Sequence, residues 1–162
     1  MAWAIVQAAA AAAAGARLAL TYQGDRLEES VGELSENLEA PLVPPCDVTS
    51  DQQIADVAAT LERDFGGLDF LVHGAAFAPQ TELNSPFVQT SREGFRIALD
   101  VSTYSLVAPT RAVAPLMERR GGGSVVTLTY LGSQRVFTNY NVMGVAKAAV
   151  GGFHVAGIYE RG

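Results

Sequence analysis

The chain has 162 residues, enough for one domain that buries roughly two-thirds of its unfolded surface. Hydrophobic residues make up 49% and charged residues 17%, which excludes a disordered chain. A net charge of -6, with no basic cluster longer than Arg119-Arg120, argues against a nucleic-acid partner. Cys46 is the only cysteine, which rules out an internal disulfide and a cysteine-clustered metal site and fits a reducing compartment.

The chain opens with MAWAIVQAAAAAAAGA, which lacks a basic leader and is alanine- rather than leucine-rich. The run is too short to span a membrane. Alanine favours helix and Gly15 suits a helix end, so a helix is expected there instead of a targeting peptide. ARLALTY reads as a buried strand, followed by the polar Gln23-Gly24-Asp25-Arg26. Leu27, Val31, Leu34 and Leu38 then fall on one side of a helix. Pro41 to Cys46 reads as a strand in which Pro44 and Pro45 are awkward. Thr49, Ser50 or Asp51 would cap the next helix, which runs to about Asp64 with Ile54, Val57, Ala58 and Leu61 inward.

Phe65-Gly66-Gly67 breaks that helix, and LDFLVHGAA supplies another buried strand. Phe77 to Thr90, with Pro79 and Pro86, is expected to be an irregular loop of functional length. Ser91 to Arg119 reads as a long helical stretch, interrupted or bent near Pro109. Gly121, Gly122 and Gly123 precede a buried strand at Val125, which Tyr130 ends; a helix carrying Tyr140 and Lys147 follows. Alternation of strands and helices predicts an α/β, Rossmann-like parallel sheet with helices on both faces.

Tyr140 and Lys147 are seven residues apart, two helical turns, so both are expected on one helix face. A nearby ammonium favours the phenolate and draws a tyrosine pKa downward, which makes the pair useful for proton donation. The same spacing arises by chance in a helix with a buried tyrosine and a surface lysine. Ligands of such sheets sit at the carboxyl ends of strands. Gln23 follows the first visible strand and is placed to accept a ribose hydroxyl. Asp47 and Val48 follow the next and suit an adenine edge and face. Gly74, Ala75 and Ala76 follow His73, where small side chains let a dinucleotide approach the backbone. His73 itself reads as a core residue, and no residue spacing suggests a metal site.

The segments PPCDVTSD, FGGLDFLVHGAAFAP, ALDVSTYSLVAPTRAVAPLM, GGGSVVTLTYLGSQRV and NYNVMGVAKAA resemble the bacterial NADH-dependent enoyl-acyl-carrier-protein reductases, a divergent branch of the short-chain dehydrogenases/reductases. The resemblance covers about Ala2 to Val150 and includes the six-residue gap between tyrosine and lysine. It implies reduction of trans-2-enoyl-acyl-carrier-protein by NADH in type II fatty-acid synthesis. It also implies a cytoplasmic location, a homo-oligomer packed through the long helices, and no membrane partner. Tyr140 would hydrogen-bond the thioester oxygen, Lys147 would hold the nicotinamide ribose, and Tyr130 would be the second active-site tyrosine. Gln23, Asp47, Val48, Gly74 and Ala75 would contact cofactor, and Ala78 would line the substrate pocket.

Against that family, the first strand and its glycine-rich phosphate turn are expected to be missing, as are the later strands and substrate loop. The expected organisation is a partial NAD-binding reductase domain over 1–150 and a divergent tail over 151–162, in which Gly151, Gly152 and Gly157 weaken any helix. A frameshifted or fragmentary coding sequence would account for this. Two other expectations stand beside the enoyl reductase: a carbonyl-reducing member of the superfamily, and an inactive fragment that only self-associates.

Overall fold

The computed structural model describes residues 16–37, 40 and 42–156. The expected helix over residues 1–15, the positions Leu38 and Pro41, and the end of the tail from Gly157 lie outside the described residues. The architecture is α/β and Rossmann-like, built as two compact units with separate cores.

The first unit takes the described residues up to Gly74 together with Ala108–Val126. Here the segment after Ala16 pairs in parallel with the segment leading to Cys46, at two isolated bridges, Ala19 with Leu42 and Tyr22 with Pro45. Leu20 N donates to Leu42 O at 2.9 Å and Cys46 N to Tyr22 O at 2.7 Å. Between those bonds Pro44 and Pro45 have no N–H to give, so a continuous ladder cannot form. The two strands expected here are therefore reduced to bridges.

Helix α1, Asp25–Asn37, starts after Gly24, whose φ of 68° is a glycine conformation. Its apolar stripe is only partly covered, with Val31 and Leu34 half-buried and Leu27 37% exposed. Helix α2, Asp51–Phe65, resolves the choice among three caps: the Ser50 side chain accepts from Gln53 N. Gly66, at φ 74°, ends it, and its N–H returns to Glu62 O. Ile54 and Leu61 are its buried positions.

Strand β1, Phe70–His73, pairs with β2, Ser124–Thr127. Leu61, Val113, Leu116 and Met117 form the core beside them, with Leu71 and Val125 packed on it. His73 is buried at 6% exposure, as a core histidine at a strand end should be. Two expectations for β2 need correction. It alternates exposed and half-buried positions instead of being buried throughout, with Val126 46% exposed, because β1 is its only sheet neighbour among the described residues. It also ends at Thr127, before Tyr130.

The second unit takes Ala75–Val107 and the chain from Thr127 onward. The stretch expected to be irregular contains a short helix α3, Gln80–Asn84, and a tight 3-10 turn at Phe87–Gln89. Each begins directly after a proline, Pro79 and Pro86, whose fixed φ prepares the first turn. Helix α4, Arg92–Leu99, is capped by Ser91. A wider π turn at Asp100–Tyr104 joins it to α5, Ser105–Arg119.

The expected interruption near Pro109 is thus at Asp100–Tyr104, and both Pro109 and Pro115 sit inside α5. A proline ring crowds the carbonyl four residues earlier, here Ser105 O, and the register change lies just ahead of that residue. Helix α6, Asn141–Ala156, continues through Gly151 and Gly152, so the tail expected from residue 151 begins as helix. Ala78, Ala98, Val142, Met143 and Ala146 make the core of this unit.

Candidate active site

The candidate residues divide between the two units. Tyr130, Tyr140 and Lys147 belong to the second, with Ala75 and Ala78; Gln23, Asp47, Val48 and Gly74 belong to the first.

In the second unit Lys147 is on α6 and only 6% exposed. A buried ammonium needs an acceptor, and Nζ donates to Leu128 O at 2.8 Å. Thr129 Oγ1 donates to Lys147 O at 3.2 Å, so the chain just after β2 holds this residue by both its tip and its main chain. Burial pulls the lysine pKa below its ordinary value.

Tyr140 is the residue before α6, in a turn, so of the pair only Lys147 lies within the helix itself. Its carbonyl accepts from Met143 N and Gly144 N, which places it at the helix entry. The ring is half-buried and tilted against Tyr130, with centroids 5.0 Å apart and planes at 57°. Phe137 packs on the other tyrosine at 5.3 Å. Burial, and next the neighbouring Tyr130, raise the Tyr140 pKa above its ordinary value. The expected downward pull from Lys147 is overturned: desolvation of the phenol outweighs any attraction, and the ammonium is engaged with Leu128 O.

Sequence reasoning missed three residues that shape this end. Gly132 lies flat on the Tyr140 ring, and a Cβ there would fall 2.5 Å from two ring carbons. Gly144 faces Gly132 O, which its own Cβ would approach to 3.0 Å. Asn141, with φ 22°, donates its side-chain amide to Glu82 O, Leu83 O and Ser85 O, tying the end of α3 to the entry of α6. The glycine in YLGS and the asparagine in NYN were the available signals. Ala78, 7% exposed, is a core residue of this unit, and Ala75 is half-buried.

In the first unit Gln23 and Asp47 do come together. Gln23 Nε2 donates to Asp47 Oδ2 at 3.0 Å. The other carboxylate oxygen accepts from Thr49 N at 2.9 Å and Thr49 Oγ1 at 2.7 Å. The Thr49 N–H is the largest of the influences that hold the Asp47 pKa below its usual value, followed by the Thr49 hydroxyl and Gln23. Asp47 N is satisfied by Gln53 Oε1 at 2.7 Å. Gln23, Asp47 and Gln53 rim a cleft of about 700 Å³ that also takes in Tyr22, Gly24 and Pro45. Val48 is half-buried beside it in sequence, and Gly74 is exposed after β1.

Asp25 and Glu28 occupy the first turn of α1 at this cleft. Two carboxylates there oppose a phosphate and accept hydroxyls. The acceptors Asp25, Glu28 and Asp47 fit the hydroxyls of an adenosine ribose, and Arg26 lines the same cleft beside them.

The family model described as enoyl-(acyl carrier protein) reductase matches residues 1–155. The NADH enoyl-[acyl-carrier-protein] reductase of Aquifex aeolicus is 48% identical over 136 residues, covering 84% of this chain and 50% of that protein. The corresponding protein of a Nostoc species is 48% identical over 153 residues, covering 93% and 58%. The chain therefore spans about half the length of the curated relatives it matches.

Among solved structures, the Aquifex aeolicus reductase superposes with a TM-score of 0.86 at 44% identity, over 91% of this chain and 57% of that one. The Bacillus cereus enoyl-acyl carrier protein reductase, solved with NADP+ and an indole naphthyridinone, gives 0.81 at 45% identity, over 86% and 54%. With a match across nearly its whole length, the chain belongs to the enoyl-(acyl carrier protein) reductase family.

Proposed function

We propose that this chain carries the adenosine-binding and tyrosine–lysine portions of an NADH-dependent enoyl-acyl-carrier-protein reductase of type II fatty-acid synthesis. The observation that supports this most is the buried Lys147 anchored to Leu128 O, with Tyr140 at the entry of the same helix and the Tyr130 ring tilted against it. A lysine is buried at such cost only where its charge is used or well partnered.

Gln23, Asp47 and Val48 hold the adenosine, and in the first turn of α1 the two carboxylates Asp25 and Glu28 outnumber Arg26, which favours NADH over its phosphorylated form. Gly74 and Ala75 offer a close approach, and Ala78 backs the acyl pocket. When bound, NADH supplies the reducing equivalent that saturates the double bond. Tyr140 donates its hydroxyl to the thioester oxygen, where negative charge grows as the enoyl group is reduced. Its raised pKa keeps the phenol protonated at neutral pH, so its role is a hydrogen bond to that oxygen and not full proton transfer. Tyr130 packs the ring in place. Lys147 spends one of its three donors on Leu128 O and offers the others to a ribose hydroxyl.

The substrate partner is acyl carrier protein, and the location is the cytoplasm. No helix among the described residues is long and apolar enough to cross a membrane. A surface groove of about 640 Å³, where Phe95, Leu99, Tyr104, Val107 and Phe153 lie beside Arg92, Arg96, Asp100 and Thr103, supports association with further copies through the long helices.

The test is an NADH titration followed by protein fluorescence and thermal unfolding, then an assay with crotonyl thioester set beside simple ketones. Saturable binding and thioester-selective turnover support the reading. Turnover of ketones alone would assign a carbonyl reductase. No binding by a cooperatively folded chain would leave only self-association.

A further inference from the structure

The π turn at Asp100–Tyr104 places an unusual run of hydroxyls inside the second unit. Ser102 and Ser105 are both fully buried at 0% exposure, and they do different things. Ser105 Oγ donates to Val101 O at 2.6 Å, within its own helical segment. Ser102 Oγ reaches a residue 25 positions away. It donates to Phe77 O at 2.9 Å and accepts from Phe77 N at 2.9 Å.

One hydroxyl thus satisfies both main-chain groups of Phe77, a task that a paired strand would otherwise perform. The Phe77 ring is 54% exposed, so packing of its side chain does not fix the loop. The neighbouring Thr103 Oγ1 donates to Ala146 O at 3.0 Å, one residue before Lys147. The extra residue of the π turn is what lets consecutive side chains reach both ways, since Ser105 N bonds back to Asp100 O across the widened turn.

We propose that Ser102 is a positioning residue that sets the main-chain conformation of the loop Ala75–Ala78, and through it the loop's fit to the dinucleotide. The second half of this rests on the reductase reading above. Removal of the hydroxyl leaves the Phe77 N–H and C=O without the partner they share, and the loop turns to give them to water.

The test compares Ser102→Ala with Ser105→Ala, an equally buried serine whose Oγ donates to Val101 O four residues back in the chain. Hydrogen exchange at the Phe77 amide is measured in both, beside NADH affinity. The expected result is exchange at Phe77 at least about tenfold faster in Ser102→Ala, with weaker NADH binding, while Ser105→Ala leaves both near the unsubstituted values. Equal effects in the two variants would assign Ser102 a general structural role and overturn the proposal. Unchanged exchange in Ser102→Ala would overturn it as well. If Ser102→Ala does not fold, Ser102→Cys keeps the shape and weakens both bonds, and the same selective pattern is expected in milder form. An unsubstituted chain that binds no NADH would sink the reductase reading, while exchange at Phe77 would still decide whether Ser102 holds the loop.

Discussion

The two units hold their candidate residues by different means. In the first, Gln23, Asp47 and Thr49 bond to one another through side chains at an accessible rim, and the core of Leu61, Val113, Leu116 and Met117 lies elsewhere. In the second, Lys147, Thr129, Asn141 and Ser102 reach from side chain to main chain, and the core itself contains neighbours of the site, Val142 and Ala146. A side-chain network at a rim can be retuned one residue at a time. A side chain bonded to main chain sets backbone, so its loss spreads.

The largest effect is therefore expected at Lys147. Lys147→Ala should lower enoyl-thioester turnover by at least about 100-fold and abolish the NADH-dependent fluorescence change. Turnover within a few-fold of the parent would remove the lysine from the machinery. Gly132→Ala comes next, because its Cβ would lie 2.5 Å from the Tyr140 ring. A loss of about 1–3 kcal/mol in urea unfolding is expected, together with a raised KM. If stability and KM are both unchanged, the ring is not seated on that glycine.

Smaller effects belong to the first unit. Ser50→Ala removes the cap of α2 and should cost about 1 kcal/mol, leaving NADH affinity unaltered. An affinity loss there would show that the rim depends on main-chain support as much as the other unit does. Asp47 sharpens the contrast through pH. Its folded pKa is depressed, so its contribution is present above the unfolded value and fades as pH falls through the folded one. Stability should thus decline on acidification below about pH 4, and Asp47→Asn should flatten that decline. An identical slope in the variant would mean the Thr49 bonds survive unfolding. Least of all, Glu62→Gln, at an exposed pair with Arg119, should leave the urea midpoint where it is.

What was legible in advance follows the same divide. Local signals carried α2 of the first unit well: Ser50, one of three cap candidates before an apolar rhythm, and Gly66 after it were readable from neighbours in the chain, whereas the bond from Gln23 to Asp47 spans 24 residues and was not. Proline was misjudged in both directions. Pro44 and Pro45 cost a ladder more than expected, whereas Pro109 was absorbed inside α5 and the irregularity moved to Asp100–Tyr104. Hydroxyl-to-backbone bonds such as Ser102 to Phe77 span 25 residues and leave no periodic trace. The direction of the Tyr140 shift was hidden for a related reason. Desolvation depends on what covers the ring, and sequence spacing reports only how far apart two residues are along the chain.

The prolines in the segment before Cys46 have one more effect. A run of extended backbone with free N–H and C=O groups is a template on which a foreign strand can dock and propagate. Pro44 and Pro45 remove two successive donors from that run, and the ring of Pro45 occupies a bridge position. A chain arriving in extended form finds no regular ladder to join. The same feature that shortens the native pairing thereby discourages this segment from seeding fibrous aggregates when copies are crowded together.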